Sequence, residues 1–272
     1  MKNRSLKILL WVVAIVLFFG LVGFVVKKHN STTCKSVEIV IQAPEDCAFL
    51  TEDDVLSYLR EAGGAIVGSR LADINLEKLE AAVNSKPYVL NSKVYMSLKG
   101  VLRIEITQRT PIARVQPDVR LQNIEDIDGS SYYITADGGL MPLTPGKTAR
   151  VVFVNGNIRN LYNENIKLDV DSAYVAQDTL GFFTTLYSIY DVASYIDQDK
   201  FLKAQIQQIF VNEKGELILI PEVGKHIVIF GDGKQITQKF KRLKIFYEKA
   251  AFIKGWSYDT VNVKYNNQII CS

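Results

Sequence analysis

The sequence predicts an α+β protein that one N-terminal helix attaches to a membrane. Three observations support this architecture. Residues 8–26 form a run without a single charge, and residues 36–112 contain strands and helices in the order β-α-α-β-β. Residues 113–272 then combine short strands with helices and close on a stretch that alternates apolar and polar side chains. Helices packed on one face of a small sheet are the expected arrangement for such an order.

The first element is the apolar run Ile8–Val26, which we interpret as a transmembrane helix. At 1.5 Å per residue it spans about 28 Å, close to the thickness of the hydrocarbon core of a bilayer. A cleaved signal peptide is the alternative. However, the run is longer than the apolar region of such peptides, and the following KKHNSTTC contains no small-x-small cleavage site. The prediction is therefore a retained anchor, with a short tail at 1–7 and a linker at 27–35.

The distribution of charge orients this anchor. Five of the 32 basic residues lie in the first 28 residues, which contain no acid, so the rest of the chain carries 27 basic and 29 acidic residues. The positive groups before the apolar run slightly outnumber those after it, which favours a cytoplasmic N-terminus and places the bulk of the chain outside the inner membrane. Because the basic excess flanks the anchor, it does not support a nucleic-acid surface.

The next elements belong to a small domain at 36–112. SVEIVIQ, Ser36–Gln42, alternates and predicts a strand. Thr51 can cap the start of a first helix, and the three acids after it suit the positive end of the helix dipole. Gly63-Gly64 ends this helix. DINLEKLEAAVNS carries a second apolar stripe at helical spacing, and two further alternating stretches form a hairpin around Lys99-Gly100.

The following domain, 113–272, is predicted to hold hairpins and two amphipathic helices. Turn residues separate apolar runs at Asp137-Gly138-Gly139 and at Glu213-Lys214-Gly215. TLGFFTTLYSIYDVASYI predicts one helix. KQITQKFKRLKIFYEKAAFIKG predicts the other, which Gly255 ends and whose core-facing stripe is Ile236, Phe240, Leu243, Tyr247 and Ala250.

The chain closes on the predicted strand VNVKYNNQIICS, Val261–Ser272. Odd positions are mostly apolar and even positions mostly polar, which predicts a half-buried strand roughly 40 Å long. Exposed edge strands present unpaired backbone groups that recruit other chains, so a protein that ends on one is unusual.

A search for catalytic groups excludes the common classes of enzyme. Neither His29 nor His226 has a Cys, His or carboxylate at metal-ligand spacing, and the Gly-Lys pairs lack the order that wraps phosphates. The acids around Asp126 and Asp128 lack the full set of calcium ligands, and no G-x-S-x-G elbow is present. The sequence therefore predicts a non-enzymatic protein without a metal, a cofactor or a small-molecule substrate.

The last predicted helix carries basic residues away from its apolar stripe. They form either a solvated outer face or a patch for an acidic partner segment, which would steer association and set its register. The residues of the possible patch are Lys241, Arg242, Lys244 and Lys249.

Several motifs together resemble the bacterial cell-division family FtsQ/DivIB. VLRIEITQRTPIARV is similar to the strand exit of that family, with Arg109 and Pro111 leading into the second domain. YYITADGGLMPL resembles its hairpin of an aromatic residue, Asp and Gly, and YDTVNVKYNNQIIC resembles its closing strand. Three differences from the family pattern stand in the closing strand. Asn262 stands where the family commonly has an acid, and Lys264 stands where it commonly has arginine. YNNQ replaces a segment that contains glycine in the family.

This resemblance implies a POTRA-like domain at 36–112 and a non-enzymatic scaffold of the division septum. In such proteins the bulk lies in the periplasm and binds FtsB-like and FtsL-like bitopic coiled-coil partners, which helps to recruit or regulate the septal peptidoglycan synthase. The partner adds a strand to the end of the β-domain and lays a helix nearby. The corresponding residues here are Val261, Asn262, Val263, Lys264, Tyr265, Asn266, Asn267, Gln268, Ile269 and Ile270.

Within this set, Tyr265 either anchors the partner or packs inward with Val261 and Val263, whose parity it shares. Two other functions remain open at this point. A POTRA-type assembly factor in envelope protein translocation would bind unfolded outer-membrane substrates. An anchored cell-envelope hydrolase would turn over peptidoglycan through a defined carboxylate.

Overall fold

A computed structural model describes the greater part of the chain, namely residues 11, 15–20, 33–44, 47–97, 99–118, 131–168, 182–250 and 258–272. Residues 15–20 are helical, and most of the predicted anchor at 8–26 lies outside the described residues. Within the ranges given, no helix combines the length and the apolar character needed to cross a bilayer. The predicted tail at 1–7, the loop at Asp126 and the helix end at Gly255 also lie outside them.

The chain divides into two compact units. The first contains Leu50–Gln108 together with the residues up to Gln42, and the second contains Ala43–Phe49 and Arg109–Ser272. The chain therefore enters the second unit briefly before the first unit is complete.

The first unit has the predicted order β-α-α-β-β. Strands β1 (Ser36–Gln42) and β2 (Val89–Met96) flank β3 (Val101–Gln108), to which β1 is parallel and β2 antiparallel. Helices α1 (Glu52–Gly63) and α2 (Leu76–Asn84) lie between β1 and β2 in the sequence.

Local capping explains where the two helices begin. The Thr51 hydroxyl accepts the Asp54 N–H while the Asp54 carboxylate accepts the Thr51 N–H, and the Asn75 side chain accepts the Lys78 N–H at the start of α2. Each helix then buries one apolar stripe against alternate residues of β3. This core includes Val55, Leu59, Leu79, Val83, Leu102, Ile104 and Ile106.

The described residues of the second unit form a mixed sheet of nine strands. The first five along the chain are β4 (Pro111–Val115), β5 (Tyr132–Thr135), β6 (Leu140–Pro142), β7 (Val152–Gly156) and β8 (Ile206–Val211). The last four are β9 (Leu217–Pro221), β10 (Ile227–Gly231), β11 (Thr260–Asn262) and β12 (Ile270–Cys271). Their order in the sheet is β12-β11-β10-β9-β8-β7-β4-β5-β6.

In the described part of the second unit, three helices pack with this sheet around one core. They are α3 (Phe182–Gln198), α4 (Lys200–Gln205) and α5 (Ile236–Ile245), which continues as a π-helical turn over Phe246–Ala250. Alternate side chains of β7 to β11 are buried in one cluster with these helices. The apolar side chains of α5, which recur at helical spacing, thus pack against the sheet face formed by every second residue of the strands. The spacing of apolar residues in the sequence predicts this packing.

The prediction of one continuous strand over Val261–Ser272 is wrong. The chain pairs with β10 only over β11, turns through residues 263–269, and returns as β12 antiparallel to β11. Asparagine side chains cause the reversal, because Asn262 accepts the N–H of Lys264 and Asn267 takes a left-handed φ of 60°. Asn tolerates that region better than other side chains, and such side-chain turns compete with strand pairing.

Candidate partner-binding site

The candidate site is the end of the sheet, where β12 closes on β11. Val261 faces Cys271 and Asn262 faces Ile270 across this pair. One residue further on, Thr260 and Ser272 exchange two backbone hydrogen bonds of 3.2 Å, and their hydroxyls lie 2.5 Å apart. Since β10 pairs with the other side of β11, this strand is hydrogen-bonded on both flanks.

The hairpin divides the ten predicted binding residues between core, turn and edge. Val261 and Val263 are fully buried in the core of the unit. Asn262 and Ile269 are half-buried, and Ile270 is exposed on β12. The exposed turn is formed by Lys264, Tyr265, Asn266, Asn267 and Gln268.

Tyr265 does not pack inward with the two valines. It leaves the strand at the turn, and 47% of its surface is exposed. Its parity with Val261 is lost because the extended backbone ends at Asn262. An aromatic ring on an exposed turn can reach a partner, and this position is consistent with the predicted anchor.

Lys264 is bound within the second unit. Its ammonium pairs with the Glu216 carboxylate just before β9, and its stem lies over Gly231, where an added β-carbon would stand 2.8 Å from the Lys264 Cγ. The hydrogen bond from Lys264 holds the pKa of Glu216 below its ordinary value, with a smaller contribution from Asn212. This ion pair ties the turn of the closing hairpin to the β8–β9 hairpin.

Replacing Lys264 by methionine is expected to raise the pKa of Glu216 and to reduce the stability of the protein only above acidic pH. The depressed carboxyl pKa contributes stability that is present above the ordinary pKa of an unfolded glutamate and is lost as the pH falls through the folded pKa. The difference in unfolding free energy between the two proteins should therefore shrink as pH falls from 7 to 3. NMR titration of the Glu216 carboxyl and denaturant unfolding measure both effects.

Lys214→Met provides the control, because Lys214 makes the smallest of the contributions that lower this pKa. It should leave the Glu216 titration almost unchanged. An equal shift in both variants would show that general surface charge, and not the Lys264 contact, sets the Glu216 pKa.

The four basic residues of α5 and the turn after it do not form one free patch. Arg242 donates from Nη2 to the Val263 carbonyl at 3.0 Å, and Lys244 pairs with Asp199, the residue that caps α4. Lys241 and Lys249 are exposed, and Lys249 adjoins Glu248. Two of the four charges therefore stabilise the unit, and Arg242 in particular holds the chain where it leaves β11.

An apolar row on the outer face of the sheet was not found from the sequence. Phe210, Ile218 and Ile229 face one another across β8, β9 and β10, and the row continues through Asn262 to Ile270. Phe210 and Ile270 are 38% and 46% exposed. The signal was present in IQQIFV, LILIP and IVIF, where apolar residues occupy both parities and so both faces.

His226 packs inside the second unit against two aromatic rings. It is buried, its Nε2 lies 3.0 Å from the Tyr247 hydroxyl, and its ring meets that of Phe246 edge-on. Burial lowers the pKa of His226 and raises that of Tyr247 to about 12. Both groups are thus neutral near pH 7. Among the residues that the structure describes, no cluster of His, Cys, Asp or Glu could hold a metal ion.

The two motifs at the start of the second unit meet in space. The Arg109 guanidinium pairs with Asp137 in the turn of the β5–β6 hairpin. The same guanidinium lies against Gly139, so an added β-carbon there would require the end of the arginine side chain to shift. The arginine before β4 and the Asp-Gly-Gly turn therefore form one structural contact, although 28 residues separate Arg109 from Asp137.

Comparison with protein families assigns both units. Residues 32–107 match the model of a POTRA-like domain, and residues 110–272 match the model described as FtsQ/DivIB, C-terminal related. No curated protein sequence matches the chain. The second match covers more than half of the chain and includes both the Arg109-linked hairpin turn and the closing hairpin. The chain belongs to the FtsQ/DivIB family, whose members are non-catalytic cell-division proteins.

Proposed function

We propose that this protein is a bitopic inner-membrane scaffold of the division septum. Its periplasmic part binds FtsB-like and FtsL-like coiled-coil proteins and helps to recruit or regulate septal peptidoglycan synthesis, without catalysis of its own. The observation that carries the proposal is the family match over residues 110–272, which extends through the sheet edge at the chain's end. The apolar run at 8–26 supports the single anchor.

The form of the sheet edge supports binding by strand addition. β12 contributes only two residues to the sheet, and sheet edges are the usual sites at which an extended peptide adds a strand. The exposed ring of Tyr265 and the apolar row that ends at Ile270 flank this edge. A partner that combines a strand with a helix would find main-chain hydrogen bonds at the edge and apolar surface beside it.

Depletion of the protein in its own bacterium tests the division role. The cells are expected to form filaments without septa, and a fluorescent fusion is expected to collect at midcell and to co-purify with two small single-pass coiled-coil proteins. Tyr265→Ala should weaken that capture about tenfold, as expected for an aromatic anchor. Lys225→Ala, at an exposed position between β9 and β10 and outside the predicted binding residues, is the control and should not weaken it.

Other outcomes separate the alternatives. Normal septation after depletion, together with capture of unfolded outer-membrane proteins, would favour a POTRA-type assembly factor instead. Equal loss of capture in Tyr265→Ala and Lys225→Ala would remove Tyr265 as an anchor and leave the division role standing.

A further inference from the structure

The edge of β11 is occupied by the chain's own end. Strand β12 is antiparallel to β11 and is hydrogen-bonded to it along the flank away from β10. It occupies the place that a strand added from another protein would take on β11. Direct addition of a partner strand to Val261 and Asn262 therefore requires that β12 leave.

The strand ladder that holds the tail is short. It consists of the pair Val261–Cys271 and the pair Asn262–Ile270. Ser272 extends it, because its N–H donates to the Thr260 carbonyl and its carbonyl accepts the N–H groups of Thr260 and Asp259. Ile269 and Cys271 are only partly buried against the core, whereas Val228 and Phe230 of β10 are fully buried. Segments with short ladders and little buried apolar surface open at low cost.

We infer that residues 268–272 occupy the binding position of a partner strand. The partner strand displaces these residues and pairs with β11 in their place. The inference rests on the proposed function and specifies how the edge is used. A partner segment that copies the tail runs antiparallel to β11, with small apolar side chains at the positions of Ile269 and Cys271, which face the core. Its side chain at the position of Ile270 is apolar and continues the outer row from Phe210.

The register of β11 and β12 allows an engineered disulfide to hold the tail on β11. Since Thr260 and Ser272 form the hydrogen-bonded pair, Val261 and Cys271 form the adjacent non-hydrogen-bonded pair, whose side chains approach most closely. Cys271 is a thiol in the structure. Val261→Cys therefore places a second sulfur opposite it, at a separation that suits a disulfide. Oxidation would close the tail on β11, and reduction would release it in the same protein.

The probe is a labelled peptide with the sequence of residues 266–272 carrying Cys271→Ser, titrated by fluorescence anisotropy. Four proteins are compared: the unchanged chain, the chain lacking 268–272, Val261→Cys, and the control Val261→Cys/Cys271→Ser, which cannot form the disulfide. A tethered tail competes at an effective concentration of about a millimolar. The shortened chain should therefore bind the peptide at least tenfold more tightly than the unchanged chain.

Oxidised Val261→Cys should bind the peptide at least tenfold more weakly than the same protein after reduction, and the control should not respond to oxidation. Equal binding by the oxidised and reduced forms overturns the inference, as does a folded shortened chain that binds no more tightly than the unchanged one. If the shortened chain does not fold, the comparison of oxidised with reduced Val261→Cys is sufficient to test the inference. Depletion of the whole protein tests the division role, whether or not the tail is displaced by a partner. The division role and this inference can therefore be contradicted independently.

Discussion

Gly156→Ala is expected to destabilise the second unit by about 4 kcal/mol, the sum of a strained backbone and a steric clash. Gly156 ends β7 with a φ of 104°, a conformation that side chains rarely adopt. An added β-carbon would stand 2.8 Å from the backbone nitrogen of Val211 and even closer to its carbonyl oxygen. Val211 is the register partner of Gly156 on β8, so relief of the clash requires separation of two central strands.

Gly146→Ala separates the two causes of this loss. Gly146 has a φ of 76° in a turn of the same unit, but no atom lies within 4 Å of the added β-carbon. Only backbone strain applies there, so the expected loss is about 1 to 2 kcal/mol. Denaturant unfolding of both variants gives the comparison. Equal losses at the two positions would show that β7 and β8 adjust to the methyl group.

Phe240→Ala is expected to cost about 4 kcal/mol of unfolding free energy. Phe240 is fully buried on α5, and its ring lies 4.9 Å from that of Tyr195 on α3, nearly parallel to it. It also lies 4.8 Å from the ring of Phe230 on β10. Truncation removes both ring contacts and leaves a cavity between two helices and the sheet.

Phe240→Leu is the control, because it retains much of the apolar volume and removes only the ring contacts. Its loss should be smaller, about 1 to 2 kcal/mol. Thermal and denaturant unfolding measure both variants, and near-ultraviolet circular dichroism reports the order of the remaining rings. If alanine and leucine cost the same, the cavity contributes little and the ring contacts hold α5 on the sheet.

Local patterns predicted the first unit well. The Thr51 capping box and the stop at Gly63-Gly64 are contacts between residues close in sequence, and so they can be read without the fold. The alternation in Ser36–Gln42 likewise predicts which side chains face the helices, because the strand period is two. The same reasons explain the core stripe of α5, where Phe240 and Leu243 are buried as their spacing indicates.

The candidate site was predicted only in part. Its position at the chain's end and its association with the sheet edge followed from alternation in the last residues. The reversal after Asn262 did not, because the apolar and polar alternation passes through the turn without a break. The asparagines that form the turn also occur within strands, so their presence alone does not distinguish a bend from a solvent-facing strand position.

Short-range periodicity and capping thus determined the elements, their order and most of their buried faces. Contacts between distant residues decided the site. Lys264 is neutralised by Glu216, Arg242 holds the Val263 carbonyl, and the last residues cover the flank of β11. A side chain's periodicity shows which face it occupies, but its partner depends on how strands and helices from remote parts of the chain are brought together.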